Sequence, residues 1–358
     1  MASISLERVS KAYDRKQVLD DVSLDVAEGE FVAILGPSGC GKTTMLRLIA
    51  GFEQIDAGAI RFGRDVIAAP GRSVPPEKRN VGIVFQNYAL WPHMSVAENV
   101  GYALKVAGVS SEMRRRRSVE ALATVDMDRL ADRSPADLSG GQRQRVALAR
   151  CLAAAPSVML LDEPLANLDV HLRASMEREF SEFHRRTGAT MIYITHDQSE
   201  AMALADRIAV MDAGRIVQFA TPRDLYREPE SEMVARFIGN GLVLPVSDLR
   251  EDTRSGRVEV DVFGRRHTVR ARYGQPAAAA ARLSVHPDDL LLAGDETSGF
   301  DAEVECIIYR GSHVEVHFHP RRAPDLSLSL HAPHDRVFEP GALISVRVGD
   351  GWVLPGAA

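Results

Sequence analysis

Cysteine is scarce in this chain: Cys40, Cys151 and Cys306 are scattered through 358 residues. Three thiols at those spacings make neither an even disulfide framework nor a metal-binding pair pattern, as expected in a reducing cytosol. Long apolar runs are missing too. The longest are strand-length, which excludes a bilayer-spanning helix. The N-terminus, with Ile4, Leu6 and Val9 among polar residues, reads as a strand and not as a secretory leader. Clustered positive charge is equally thin. Net charge is −6, and the conspicuous basic run, Arg114–Arg117, reads as a solvated helix face; a nucleic-acid partner would need a broader footprint. The 45% apolar and 26% charged residues are the balance of a soluble globular chain, and the length suggests two domains.

Against that background stands Gly36-Pro37-Ser38-Gly39-Cys40-Gly41-Lys42-Thr43-Thr44, which fits G-x-x-x-x-G-K-[ST]. Phe31–Leu35 before it is a short apolar run bounded by glycines, a buried strand. Met45–Ala50 after it is an apolar helical pattern closed by Gly51. Strand, Gly-rich turn and helix together make this a phosphate site. The glycines let backbone N–H groups converge on phosphate oxygens, and the helix N-terminus adds its positive dipole. Lys42 reaches the β- and γ-phosphates, and the Thr43 hydroxyl can ligate Mg²⁺. Cys40 reads as a small loop residue open to alkylation, not as a nucleophile.

Further candidates follow in order. Tyr13 suits either a nucleobase platform or a strand-end core position, and spacing leaves the two even. Val81–Phe85 is an apolar strand ending at Gln86, where a polar side chain is sited to touch Mg²⁺ or an attacking water. The segment Tyr88–Met94 is aromatic and Pro-broken, and Trp91 before Pro92 suggests an exposed contact surface. Helical patterns occupy Val96–Leu104 and Glu112–Val125. Ser139-Gly140-Gly141-Gln142 then opens another helix, a second anion site that one bound nucleotide does not need unless it serves another subunit. Val158–Glu163 is a buried strand ending in paired carboxylates. Asp162 there suits Mg²⁺, and Glu163 suits orienting or deprotonating the attacking water. Asn167-Leu168-Asp169 and the helix His171–Arg186 follow. The apolar strand Thr190–Ile194 then ends at His196, placed to sense a γ-phosphate.

After Gly239-Asn240-Gly241 the hydrophobic period changes to two, over Val258/Val260/Val262, Val304/Cys306/Ile308, Val314/Val316/Phe318 and Ile344/Val346/Val348. The spacing predicts a small all-β unit over 241–358, a partly closed barrel. His313, His317 and His319 share the polar face of one strand and read as solvated; Gln275–Ala281 reads as an Ala-rich loop.

Five motifs in this order closely resemble the ATP-binding subunit of ABC transporters: Gly36–Thr44, Gln86, Leu138-Ser139-Gly140-Gly141-Gln142, Val158–Pro164 and His196. The likeness covers residues 1 to about 240, and the Leu138–Gln142 signature is its specific part. It implies an α/β P-loop NTPase cassette with a RecA-like core, an antiparallel β subdomain and a helical subdomain at about 87–152. A small all-β OB-like (TOBE-type) domain follows at 241–358. It implies Tyr13 stacked on adenine and Gln86, Glu163 and His196 at the reaction centre. Mg²⁺ falls to Thr43, Gln86 and Asp162. Ser139–Gln142 caps ATP held by the other copy in a head-to-tail dimer, and Asp169 is the D-loop aspartate. Implied partners are a second copy, two transmembrane permease subunits and, indirectly, a solute-binding protein, at the cytoplasmic face of the inner membrane. No nucleic acid is implied. Likeness within the cassette points the cargo towards ferric iron or polyamine. A soluble ABC-type ATPase acting on nucleic acid or ribosomes is the alternative. Departures from the pattern are Ala166 for Ser, Trp91 for Phe or Tyr, and His286 and Asp288 where Arg and Glu are usual.

Overall fold

The computed structural model of the chain describes residues 2–166, 170–250, 256–294 and 299–356. They form two compact units, dividing between Pro222 and Arg223.

The first unit contains, in chain order, β1 (Ile4–Tyr13), β2 (Lys16–Val26), β3 (Phe31–Leu35), α1 (Lys42–Ala50), β4 (Ala57–Phe62), β5 (Asp65–Ala69), β6 (Arg72–Ser73) and β7 (Val81–Val84). There follow α2 (Val96–Val106), α3 (Ser111–Thr124), α4 (Gly140–Ala154), β8 (Val158–Asp162), α5 (Val170–Thr187), β9 (Thr190–Thr195), α6 (Gln198–Leu204), β10 (Arg207–Asp212) and β11 (Arg215–Ala220). A six-stranded sheet runs β11-β10-β3-β9-β8-β7, parallel throughout except at β11. Both its faces are covered, which is why its strands read as unbroken apolar runs. Val158, Leu160, Ile192 and Ile194 face a core shared with α1. Met159, Leu161, Met191 and Tyr193 face the other way, into a core filled by α2, α4 and α5.

A second, antiparallel sheet, β2-β1-β4-β5-β6, joins the α1 core. Its strands are longer than their alternation predicts, because register shifts after Leu6 and Val9 break the period of two. The Gly- and Pro-containing stretch Gly63–Arg79 carries β5 and β6, which complete the ladder beside β4. Arg79, 3% exposed, donates Nη1 to Leu48 O (2.6 Å) and Ile49 O (2.8 Å), satisfying carbonyls at the end of α1.

The second unit takes in α7 (Pro222–Arg227) from Arg223 onward and α8 (Glu232–Phe237), followed by β12 (Leu242–Arg250), β13 (Arg257–Val262), β14 (Arg265–Arg270), β15 (Ala278–Val285), β16 (Leu290–Leu292), β17 (Phe300–Tyr309), β18 (His313–Pro320), β19 (Leu328–Pro333), β20 (Leu343–Val348) and β21 (Trp352–Val353). Five strands close a barrel, β12-β13-β14-β21-β15, and five form a sheet, β16-β20-β17-β18-β19. The expected single, partly closed barrel is therefore a closed barrel plus a second sheet. Part of the stretch expected as an Ala-rich loop is strand: Ala278–Ala281 pairs with β12, since ladder bonds need backbone and no particular side chain.

The units divide earlier than the change of pattern at Gly239–Gly241 suggests. Ala235 of α8 shares a small core with Val243, Trp352 and Leu354, and Trp352 Nε1 donates to Pro229 O at 3.2 Å. His286 lies flat on Tyr226 with centroids 3.7 Å apart, its ring nitrogens 2.9 Å from Tyr226 O and 3.3 Å from Gly239 O. The hydrogen bonds among these cross 47 to 123 positions of sequence, beyond the reach of local periodicity.

Candidate functional site

Parallel register sets the site. Leu35 lies opposite Thr195, Asp162 opposite Ile194, and Val84 opposite Leu161, so four strands end along one edge. The loops leaving that edge carry Gly36–Gly41, His196, Glu163 and Gln86. Such an edge is where open α/β sheets take ligands.

The first loop is folded as a cradle. Gly36 admits no side chain, because a Cβ there would lie 2.3 Å from Met211 O. Gly41 caps α1 with φ +109°, a conformation closed to other residues, and its Cβ would meet Leu19 and Val18 O. Pro37, Ser38 and Gly39 form the exposed rim, with Cys40 buried beneath. Lys42, 6% exposed, donates Nζ to Gly36 O at 2.6 Å and Pro37 O at 3.0 Å. Its ammonium thus sits inside the loop, on carbonyls a phosphate would compete with. Thr43 is exposed at the helix start and Thr44 is half-buried.

Asp162 and Glu163 follow at the end of β8. Burial pushes the Asp162 carboxyl above its usual range, and the neighbouring Glu163 adds to this; Arg47 and Lys42 oppose it. Glu163 adopts φ 44°, with its N–H given to Ile194 O at 2.9 Å. This turns its side chain to His196, whose Nδ1 is 3.3 Å from Glu163 Oε1. His196 is exposed and Glu163 half-buried, so one face of the pair is open to a ligand.

The site has supports that sequence reasoning missed. Asp197 caps α6, accepting from Ser199 N at 2.8 Å and Glu200 N at 3.3 Å. Glu200, buried at 2% exposure, accepts from Tyr193 Oη (2.8 Å) and Thr195 Oγ1 (2.7 Å), and burial pushes its carboxyl up. Arg173 of α5 binds Asp197 at 3.0 Å. The strand end that presents His196 is thereby fixed. Asp197 followed three residues on by Glu200 is a helix-start pattern, a signal the sequence offered.

Ser139–Gln142 is built elsewhere, at the head of α4 in the helical layer. Ser139 Oγ accepts from Gln142 N at 3.3 Å and Gln142 Oε1 accepts from Ser139 N at 3.0 Å, a reciprocal cap that presents the first turn of α4. Tyr13 ends β1 at the hairpin, 40% exposed, with Lys11 Nζ 5.3 Å from its ring centroid. That exposure removes the core reading. Gln86 is exposed on the loop after β7. Asp169 lies outside the described residues. Trp91, expected as exposed, is half-buried: its ring packs on Tyr102 (centroids 4.4 Å) and under Arg150. In the second unit, His317 pairs with Glu315 (3.0 Å), His319 with Glu305 (3.1 Å) and His331 with Asp288 (2.7 Å).

Two family models match the chain: "ABC transporter" over residues 19–166 and "TOBE domain" over residues 283–354. The maltose/maltodextrin import ATP-binding protein MalK of Escherichia coli K12 is 44% identical over 322 residues, 88% of this chain and 85% of that protein. MalK of Salmonella typhimurium LT2 gives the same figures. Among solved structures, a dimeric ATP-binding cassette in a post-hydrolysis state bound to ADP and Pi covers 62% of this chain and 99% of its own, with 32% identity and TM-score 0.53. Clostridium perfringens cbiO1, part of the ABC transporter complex cbiONQ, covers 65% of this chain and 92% of its own, with 28% identity and TM-score 0.59.

Proposed function

The chain belongs to the ABC transporter family as the ATP-hydrolysing subunit of an importer, and from that premise we propose that it powers uptake of a sugar. The observation that carries the mechanism is the parallel register that brings the Gly36–Thr44 loop, Asp162–Glu163, His196 and the Gln86 loop to one sheet edge. Backbone N–H groups of Ser38–Gly41 cradle the ATP phosphates while Lys42 turns from Gly36 O and Pro37 O to the β- and γ-oxygens. Tyr13 stacks on the base. Glu163 orients the attacking water and takes its proton, and His196 beside it reads the γ-phosphate.

Thr43, Asp162 and Gln86 would hold Mg²⁺: hydroxyl, carboxylate and amide oxygens suit a hard cation, and a half-buried carboxyl crowded by Glu163 gains from one. Bound there, Mg²⁺ supplies charge neutralisation on the phosphate oxygens. Ser139, Gly140, Gly141 and Gln142 of one copy close over ATP held by the other. That arrangement gives the second Gly-rich turn its task. Two permease subunits receive the closure at the cytoplasmic face of the inner membrane, and a solute-binding protein delivers the cargo.

The expectation of ferric iron or polyamine is corrected. It rested on likeness within the cassette alone. The relatives at 44% identity over most of both chains are named for maltose and maltodextrin import. The same relatives set aside an ATPase acting on nucleic acid or ribosomes. The test is ATPase rate in the complex with its membrane subunits, given a binding protein loaded with maltodextrin, ferric ion or polyamine. Several-fold stimulation by the sugar-loaded protein is expected; stimulation by iron or polyamine alone would refute the cargo.

A further inference from the structure

The segment from Tyr88 to Met94 is held in a conformation it would not keep unaided. Tyr88 and Ala89 both have positive φ, 62° and 46°, in the left-handed region that non-glycine residues rarely enter. Two side chains hold the segment. From α2, Asn99, fully buried, accepts from Trp91 N at 2.8 Å and donates Nδ2 to Trp91 O (3.1 Å), Met94 O (3.2 Å) and Ser95 O (3.0 Å). From α4, Arg150 donates Nη2 to Tyr88 O at 2.8 Å and Nη1 to Ala89 O at 2.5 Å, with its guanidinium 5.3 Å from the Trp91 centroid. Burial depresses the Arg150 pKa, the mark of a guanidinium taken out of water for these carbonyls.

Arg150 and Ser139–Gln142 stand on the same helix. Helix α4 runs unbroken from Gly140 to Ala154, so Arg150 lies about 15 Å along the axis from the signature turn. Much of that helix is buried against the same core as Val96 and Val100 of α2, which favours movement as a rod over bending. The fork of Arg150 reads backbone position, not a side chain: its two terminal nitrogens each meet one of two successive carbonyls.

We propose that Arg150 is a positioning residue that yokes the 88–94 segment to the Ser139–Gln142 turn, so that closure of that turn on ATP displaces Trp91. The proposal rests on the reading that Ser139–Gln142 caps the ATP of a second copy. Coupling of this kind is reciprocal, so a load applied at 88–94 biases closure by the same free energy. Lysine does not reproduce the contact, because a single ammonium on a flexible stem lacks the rigid planar fork whose two terminal nitrogens each fix one carbonyl.

The chain has two tryptophans, Trp91 and Trp352, so Trp352→Phe leaves Trp91 as the sole indole. In a Trp352→Phe/Glu163→Gln protein, MgATP is titrated while Trp91 emission and sedimentation are followed together. The expected result is an emission change that tracks dimer formation. Adding Arg150→Gln or Arg150→Lys should remove at least four-fifths of that change, while affinity for a fluorescent ATP analogue stays within twofold. Ser139→Arg should remove it as well, because the signal enters through the signature turn. A purely structural staple would lower Tm in the Arg150 variants and leave the ATP-dependent change in place. Full amplitude in both Arg150 variants, a silent Trp91 in a protein that dimerises, or a response surviving Ser139→Arg would each overturn the yoke. Failure to dimerise at all would instead strike the reading beneath it, and the yoke with it.

Discussion

Glu163, to which we assign activation of the attacking water, also holds strained backbone: its φ of 44° aims a half-buried carboxylate at the open edge beside His196. Glu163→Gln should therefore lower kcat by about 10²-fold or more while ATP still binds, since it removes a proton acceptor and leaves the phosphate cradle whole. Lys42→Ala should act on binding instead. Losing a buried ammonium that meets phosphate oxygens is expected to weaken ATP about tenfold or more by equilibrium titration. Equal nucleotide affinity in both variants would contradict this division of roles between Glu163 and Lys42. The thiols make a second residue-scale case. Cys151 is buried and its pKa is pushed up to about 11; burial also raises that of Cys40, while Cys306 is exposed. Native protein should alkylate at one site, Cys306, within minutes, and at Cys40 and Cys151 only on unfolding, as read by mass spectrometry. That revises the expectation that Cys40 is open to alkylation. The motif residues were legible because phosphate chemistry fixes both type and spacing. Arg173 and Arg79 were not, because a buried charge is recognisable only once its partners from other elements are known.

At the scale of elements, the segment between Gln86 and α2 has a fold set by side chains outside it. Asn99 makes four hydrogen bonds at zero exposure. Asn99→Ala should cost about 1–3 kcal/mol by leaving Trp91 N and Met94 O without the partner that Asn99 gives them. Denaturant titration of the first unit would read it as a lowered midpoint with an unchanged slope, and no loss would mean water replaces the amide. Strands buried on both faces, such as β3 and β8, announced themselves as unbroken apolar runs. Those built on backbone pairing alone did not. Ala278–Ala281 has no hydrophobic signal to give, β5 and β6 sit in a stretch rich in Gly and Pro, and bulges after Leu6 and Val9 hide the full length of β1.

At the scale of the molecule, the change of hydrophobic period at Gly239 marks where strands begin, and the compact units divide earlier, at Pro222. The difference predicts how truncations behave. A chain ending at Pro222 should stay soluble and bind ATP. One ending at Asn240 keeps α8 but strips Ala235 of Val243, Trp352 and Leu354, and should aggregate or melt at lower temperature. Equal behaviour of the two would place the boundary back at the join.

The central claim is that two copies close on ATP through Ser139–Gln142, and association of the hydrolysis-blocked chain measures it most directly. Sedimentation of Glu163→Gln should give a dimer dissociation constant at least tenfold tighter with saturating MgATP than without, and Ser139→Arg should erase that difference while nucleotide stays bound. A constant indifferent to ATP, or an ATP effect that survives Ser139→Arg, would contradict it.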